Sequence, residues 1–205
     1  MKIGVIGSGG IGGTIGTLWA KAGHDVLFSS RNPEKLATLV AAAGSKAQAG
    51  TIAEAASFAD VIFFAVYYWT TDEALSAAGS LVNKTIIDAT NPYIRTAAGQ
   101  IQRVPSVSAA LELAQKLPHS KIVKAYNTLP TEIFATEHHR QDPYVLFYCG
   151  DHADAKATVA QLITDSGFAA IDTGDLSRVV YQEPGGILYN KPLTVDVAHD
   201  LLAAM

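Results

Sequence analysis

The stretch "KIGVIGSGGIGGTIGTLWAKAG", residues 2–23, decides the fold. "KIGVI" is a short apolar run of the kind that forms a buried strand. After it, Ile11, Ile15, Leu18, Trp19 and Ala22 recur on one helical face, and Gly23 can stop the helix. Between strand and helix, Gly7-Ser8-Gly9-Gly10-Ile11-Gly12 reads GxGxxG. The pattern alone is weak, but a strand before it and a helix after it make it specific. Gly7 permits the tight turn, Gly9 lets a pyrophosphate approach the backbone, and Gly12 lets the helix pack close to the sheet. Free N–H groups and the dipole at the helix start favour the anion. Each interior helix glycine costs ~1 kcal/mol, so a turn with no ligand has little reason to carry Gly12 and Gly13 as well.

Further along the chain, strand and helix alternate. Residues 24–30 read as a second strand. Asn32-Pro33 reads as N-cap and first residue of a helix running to 44. Residues 45–49 make a short strand, 51–59 a short helix, 60–66 a strong strand, 71–82 a helix and 84–90 a fifth strand. A loop follows over roughly 92–105. Then come a helix over 106–117 and strands over 120–128 and 143–151, with a helix over 153–167 and a strand over 168–175. Continuous β-rich runs separated by helices predict a parallel sheet covered on both faces. The expected fold class is α/β: a Rossmann-like, doubly wound, mostly parallel sheet with additional C-terminal αβ elements and a short helical tail broken at Pro184-Gly185-Gly186. The expected organisation is a dinucleotide-binding domain over 1–150 and a small extension over 151–205, with a soft boundary.

At the end of the second strand, about 20 residues beyond the fingerprint, an acid is expected to grip the adenosine ribose. Ser30 and Arg31 stand there instead. A carboxylate accepts from a 2′-hydroxyl and repels a 2′-phosphate; a guanidinium does the reverse, with a fork suited to phosphate. Lys35 falls in the first turn of the following helix, where a cation opposes the dipole but can lean back toward Arg31. Lys35 alone reads as a solvated cation. The set Ser30, Arg31 and Lys35 behind a glycine-rich turn predicts NADP(H).

In open α/β sheets, ligands collect beyond the carboxyl ends of the strands. The fourth strand ends in Ala65-Val66-Tyr67-Tyr68-Trp69, the fifth in Asn91-Pro92 and the sixth in Asn127-Thr128-Leu129-Pro130. Ala65, Val66, Tyr67, Asn91 and Asn127 join the expected cofactor contacts. Tyr68, Trp69, Thr128, Leu129 and Pro130 would line an acceptor pocket. The aromatics could equally cap the core, and Asn-Pro is ordinary turn chemistry. No acid–base machinery stands out, and no catalytic residue is assigned. There is no Tyr-x-x-x-Lys. His138-His139 lacks a ligand partner at metal spacing, so no metal is expected. Hydride transfer between two ring cofactors mainly needs stacking and orientation.

Apolar residues make up 49% of the 205 and charged residues 17%, with a net charge of -4. Disorder is excluded, and no electrostatic footprint for nucleic acid or anionic membrane exists. The single Cys149 sits in a strand run and reads as a buried, inert thiol. No secretory signature or bilayer-length apolar run is present. The expectation is a cytoplasmic protein with a small-molecule or cofactor acceptor, no nucleic-acid or membrane partner, and a homodimeric assembly, because the tail is too short to form its own core.

"IGVIGSGGIGGTIG", "SSRNPEK", "IVKAYNTLP", "YCGDHADAK" and "IDTGDLS" together resemble the coenzyme F-420-dependent NADP oxidoreductases and their bacterial relatives. The cytosolic domain of the six-transmembrane metalloreductases is a more distant likeness. The resemblance covers about residues 2–182. It implies NADP(H) on the Rossmann half, with Ser30, Arg31 and Lys35 at the 2′-phosphate. It implies residues 127–130 under the nicotinamide and deazaflavin, and hydride transfer between the two rings. Tyr67-Tyr68-Trp69 stands where the family has Ile-Pro-Trp, and Asn127 where it has His. The acceptor class therefore stays open among deazaflavin (F-420), flavin, quinone and other small acceptors. The alternative is a non-catalytic NADP(H)-binding sensor or regulator. A pyrroline-carboxylate or 6-phosphogluconate type dehydrogenase ranks last, because those enzymes add a large helical domain where this chain continues to alternate.

Overall fold

The computed structural model describes residues 1–204. The first strand, β1 (Lys2–Ile6), turns through the glycine run into α1 (Gly10–Lys21). β2 (Asp25–Ser29) follows, then a 3-10 turn over Pro33–Leu36 that leads into α2 (Ala37–Ala43). Next come β3 (Ala47–Gly50), α3 (Ile52–Phe58), β4 (Val61–Phe64), α4 (Thr71–Ala78) and β5 (Thr85–Asp88). A hairpin, β6 (Tyr93–Arg95) and β7 (Ile101–Arg103), precedes α5 (Ala109–Lys116). β8 (Lys121–Lys124), α6 (Thr131–Thr136), β9 (Val145–Gly150), α7 (Ala153–Asp165) and β10 (Ala169–Asp172) lead to a 3-10 segment over Leu176–Tyr181 and to α8 (Val195–Ala203).

The sheet has eight strands in the order β10-β9-β8-β5-β4-β1-β2-β3. Six of them, from β3 to β8 across the sheet, run parallel. This is the mostly parallel, doubly wound α/β class that the alternation predicts. The chain order reverses between β1 and β4, and there the turn after β1 opens toward the strand ends. β9 lies antiparallel to β8, in register only at Val123↔Gly150 and Lys124↔Cys149, and β10 follows β9 in parallel. Between β8 and β9 the chain forms α6, which packs on α1. The chain then returns without crossing the sheet face. The hairpin is the other departure, since the sequence there reads as loop. Three-residue strands with exposed faces carry almost no periodicity.

The core lies on both faces of the sheet. One cluster joins α1 and α7 to the sheet around Trp19, Phe28, Phe63, Tyr126, Phe134 and Phe168. Trp19 meets Phe63 edge-on at 4.9 Å and Tyr126 at 5.4 Å, and its indole N–H donates to the Leu162 carbonyl at 2.8 Å. The helix that follows the glycine turn is therefore clamped to the strands and to α7 by one side chain. A second cluster packs α4, α5 and the 3-10 segment at 176–181 against the opposite face. A third seats α8 on β9 and β10 through Val145, Phe147, Ile171, Leu188 and Ala198. Because β10 extends the same sheet, residues after 150 are joined to the Rossmann unit by backbone hydrogen bonds as well as by packing. No helix among the described residues is long and apolar enough to cross a membrane.

Candidate functional site

The glycine turn lies where β1, α1 and β4 converge. Gly7 has φ 99°, and a Cβ there would lie 2.5 Å from the Ala65 carbonyl oxygen. A Cβ on Gly12 would sit 1.9 Å from the Gly7 carbonyl oxygen, and one on Gly16 would sit 2.4 Å from the Phe28 ring. These three glycines let α1 press onto the sheet. Gly9 is different: nothing lies within 4 Å of the place a Cβ would occupy. It is the N-cap of α1, makes no side-chain cap, and the first turn carries no acid. The N–H groups of that turn have no partner inside the helix. Ser8 Oγ is buried without a partner among the described residues. An exposed, side-chain-free helix start with an unpartnered hydroxyl beside it fits a pyrophosphate.

Gly10 faces the opposite wall. A Cβ there would approach the Thr131 side chain at 3.1 Å. The N-terminus of α6, and the residues just before it, thus lie against the N-terminus of α1. This brings Thr131, the residue that follows Asn127 to Pro130, to the start of α1, remote in sequence.

At the β2 exit, Ser29 donates to the Val5 carbonyl at 2.7 Å, and Ser30 Oγ accepts from the Asn32 N–H at 3.1 Å. Asn32 makes no side-chain cap, so the predicted helix start is a 3-10 turn in which Lys35 N–H donates to the Asn32 carbonyl. Arg31 is 75% exposed and pairs with Glu73 of α4 at 3.0 Å. The pair spans the groove from the β2 side to the β4 side. Lys35 is exposed, with no carboxylate in ion-pair range among the described residues. The sequence reading missed Glu73, although an acid in the first turn after the fourth strand is itself a visible signal.

At the β4 exit the three aromatics divide. Tyr67 and Trp69 stack at 4.5 Å with planes within 5°, and they are 68% and 36% exposed. They do not cap the core. Tyr68 turns the other way and donates its hydroxyl to Glu112 of α5 at 2.5 Å. Burial, then Glu112, pushes that phenol up to about 12. Tyr68, Trp69 and Thr90 line a cavity of about 180 Å³ between α4 and α5.

The exits of β5 and β8 are bound to each other. Asn91 Nδ2 donates to the Asn127 carbonyl at 3.1 Å, and Asn127 Nδ2 donates to Asn91 Oδ1 at 3.1 Å. Asn127 Nδ2 also donates to the Gln182 carbonyl at 2.8 Å. Tyr126 has φ 61° and is fully buried among Trp19, Phe63 and Phe134. A left-handed non-glycine residue costs on the order of 1–3 kcal/mol, and packing must hold it there. The kink ends β8 at Lys124, earlier than its apolar run suggests, and turns Asn127 and Thr128 across the strand ends. Asn127, Thr128 and Leu129 are buried, and Pro130 is half-buried. Asn127 Oδ1, Thr128 Oγ1 and Gln182 Oε1 are buried without partners among the described residues.

Below these exits sits a charge cluster. Lys124 and Asp88 are register partners on β8 and β5, both fully buried, with Nζ to Oδ2 at 2.9 Å. Asp88 Oδ1 accepts from the Thr90 N–H at 2.9 Å and the Thr90 hydroxyl at 2.7 Å. Lys124 also donates to the Thr90 carbonyl. Glu183 Oε1 lies 3.4 Å from Lys124 Nζ and accepts from the Ala110 N–H at the start of α5, at 3.1 Å. The sequence reading missed this cluster. The signal for two of its members is a charge within an apolar strand run, Asp88 in "TIIDAT" and Lys124 in "KIVKAY".

His138 and His139 stand perpendicular, at 87°, and among the described residues no group of three or more His, Cys, Asp or Glu could hold a metal.

A glycine turn against α6, a basic β2 exit and a carboxamide-lined floor at the β5 and β8 exits define a Rossmann-type dinucleotide-binding protein. Residues 2–92 match the model of the family described as "NADP oxidoreductase coenzyme F420-dependent". Over 176 residues the chain is 32% identical to the metalloreductase STEAP3 of Rattus norvegicus, covering 86% of this chain and 34% of that protein. It thus spans about a third of the length of the curated relative it matches. A hypothetical protein from Sinorhizobium meliloti superposes with a TM-score of 0.83 at 27% identity, over 95% of each chain. A protein from Arthrobacter sp. FB24, named for the F-420-dependent NADP reductases, superposes with a TM-score of 0.77 at 27% identity over 87% of each chain. Residues 2–92 are thus similar to the NADP oxidoreductases of that family, and the wider fold to the two bacterial proteins.

Proposed function

We propose that this chain is an NADP(H)-dependent oxidoreductase that exchanges a hydride between the nicotinamide and a flat acceptor, a deazaflavin or a flavin. The observation that carries the nucleotide is the β2 exit. Ser30 and the exposed Arg31 follow Ser29, whose register partner Ile6 precedes the glycine turn, and they stand where an acid would repel a 2′-phosphate. Lys35, one turn on, adds a second cation. The helix start at Gly9–Gly12, with Ser8, receives the pyrophosphate. Ala65, Val66 and Tyr67 flank the chain of the nucleotide at the β4 exit, and Asn91 and Asn127 form the floor under the nicotinamide.

When bound, NADPH supplies the hydride. The protein binds, orients and excludes water. The stacked, exposed Tyr67–Trp69 pair supports a planar acceptor, because a flat ring can continue an offset stack. Thr128, Leu129 and Pro130 close the far side. Tyr68 faces α5, so in this reading it shapes the aromatic turn from behind. Residues 1–150 form the nucleotide-binding unit, 151–205 an extension on the same sheet, and a cytoplasmic homodimer completes the proposal.

The test is titration of NADPH and NADH, followed by NADPH oxidation against deazaflavin, FMN, FAD, quinones and ferric chelates. NADPH should bind at least about tenfold more tightly than NADH. Turnover should appear with a ring acceptor. Equal affinities would remove the nucleotide assignment, and tight NADPH binding with no turnover on the whole panel would favour a sensor.

A further inference from the structure

The cluster of Lys124, Asp88 and Glu183 is buried, and all its bonds but the one from Ala110 to Glu183 lead to the strand exits. Lys124 and Asp88 hold Thr90 by its N–H, its hydroxyl and its carbonyl. Thr90 precedes Asn91, whose amide exchanges two hydrogen bonds with Asn127. Asn127 then donates to the Gln182 carbonyl, and the next residue, Glu183, returns to Lys124. The path closes on itself through three segments that are remote in sequence: the β5 exit, the β8 exit and the C-terminal segment. The Ala110 N–H, at the start of α5, supplies the extra donor that a second carboxylate on one ammonium requires.

A buried ion pair is weak support for a fold, since apolar side chains of similar volume often serve as well or better. It does fix distance and direction, because each proton of the ammonium has one place to go. The place fixed here lies at one end of the groove. In the strand order β5-β4-β1-β2, three strand spacings, roughly 14 Å, separate the cluster from Ser30 and Arg31. The ring also presents free hydrogen-bonding capacity: Asn127 Oδ1, Gln182 Oε1 and the neighbouring Thr128 Oγ1 have no partners among the described residues.

We propose that Lys124, Asp88 and Glu183 are positioning residues for the nicotinamide end of the groove, setting the Asn91–Asn127 floor while leaving the adenylate end untouched. This rests on the NADP(H) reading above. Glu183 is the member that joins the C-terminal segment to the strand exits, so its side chain fixes where that segment sits against them.

The experiment compares two ligands on the full chain, NADPH and 2′,5′-ADP, which lacks the nicotinamide. It uses wild type, Glu183→Gln and the charge-conserving Glu183→Asp. The carboxamide introduced by Glu183→Gln keeps an acceptor for the Ala110 N–H and loses the attraction to Lys124. Glu183→Asp keeps the charge on an arm shorter by one methylene. Both variants should weaken NADPH by about tenfold, the effect of one misplaced hydrogen bond, with 2′,5′-ADP affinity held within about twofold. The emission of bound NADPH should shift toward that of the free cofactor. Should Glu183→Gln fail to fold, Glu183→Asp carries the same comparison. Parallel loss of both ligands would make the cluster a structural lock and overturn the proposal, as would unchanged NADPH affinity and emission. Wild-type protein that binds neither ligand would refute the nucleotide reading itself and the positioning role with it. Wild type that binds both, with variants that lose them in parallel, would refute the positioning role alone.

Discussion

At the scale of single residues, Arg31 carries the choice of nucleotide in the proposed NADP(H) reading. Its pairing with Glu73 is solvent-exposed on both sides, and such pairs contribute ~0–1 kcal/mol. A phosphate dianion with several acceptor oxygens can displace that carboxylate easily. Arg31→Ala should therefore weaken NADPH by about 10- to 100-fold, the worth of hydrogen bonds to a charged group, with NADH changed little. Glu73→Ala should not weaken NADPH. Fluorescence titration of the four combinations checks both statements, and a loss of NADPH affinity in Glu73→Ala would mean that the carboxylate organises the site. Ser30, Arg31 and Lys35 are legible in the sequence because the absence of an acid at a known spacing is visible. Glu73, Asp88 and Lys124 are visible only as charges at odd positions, and Glu183 not even so; the role of each comes from a partner at least 36 residues away, as for Asp88 with Lys124.

At the scale of elements, the strand–turn–helix unit separates the open Gly9, proposed to meet the pyrophosphate, from the packing glycines. The Cβ space at Gly9 is empty, and its backbone at φ -80° suits any residue. Gly12 has no such space. Gly9→Ala should keep the thermal midpoint and lose about tenfold or more in NADPH affinity, because the methyl group occupies the approach of the pyrophosphate. Gly12→Ala should cost about 1–3 kcal/mol through overpacking, a fall of roughly 2–10 °C in Tm. Thermal scans with and without NADPH distinguish them. The inverse pattern, an unstable Gly9→Ala and a stable Gly12→Ala, would contradict this division. Helix and strand periodicity reveals β1, α1, β2, β4 and β5 directly. The hairpin β6–β7 escapes it because exposed three-residue strands have no apolar face to betray them. The end of β8 is hidden because the left-handed Tyr126 keeps an apolar, strand-like composition while leaving the sheet.

Across the molecule, buried protonated groups make stability sensitive to alkali. Burial pushes the Cys149 thiol up to about 12 from 9.0, opposed by Lys124 and Thr173. Burial and Glu112 push Tyr68 from 10.0 to about 12. Both groups stay protonated in the fold at pH values where the unfolded chain releases its protons. Their contribution is thus complete below about pH 9 and is lost as pH rises toward 12. For the buried Cys149 the loss is on the order of 1 kcal/mol per pH unit. For the partly exposed Tyr68 it is smaller, because solvent screens the interaction. The thermal midpoint should fall progressively between about pH 9 and 11, and less steeply in Cys149→Ala. A midpoint that is flat across that range would show that these groups titrate freely.

Local sequence is enough to specify the doubly wound class, the glycine turn and the basic β2 exit. In these patterns neighbouring residues state their own geometry through periodicity, glycine placement and charge. It takes packing to set Tyr67 and Trp69 outward while Tyr68 turns to α5. Packing also reverses β9 and closes three distant segments around Lys124. Those outcomes depend on which surfaces meet once strands and helices assemble, and burial of charge against its partner is a property of that meeting.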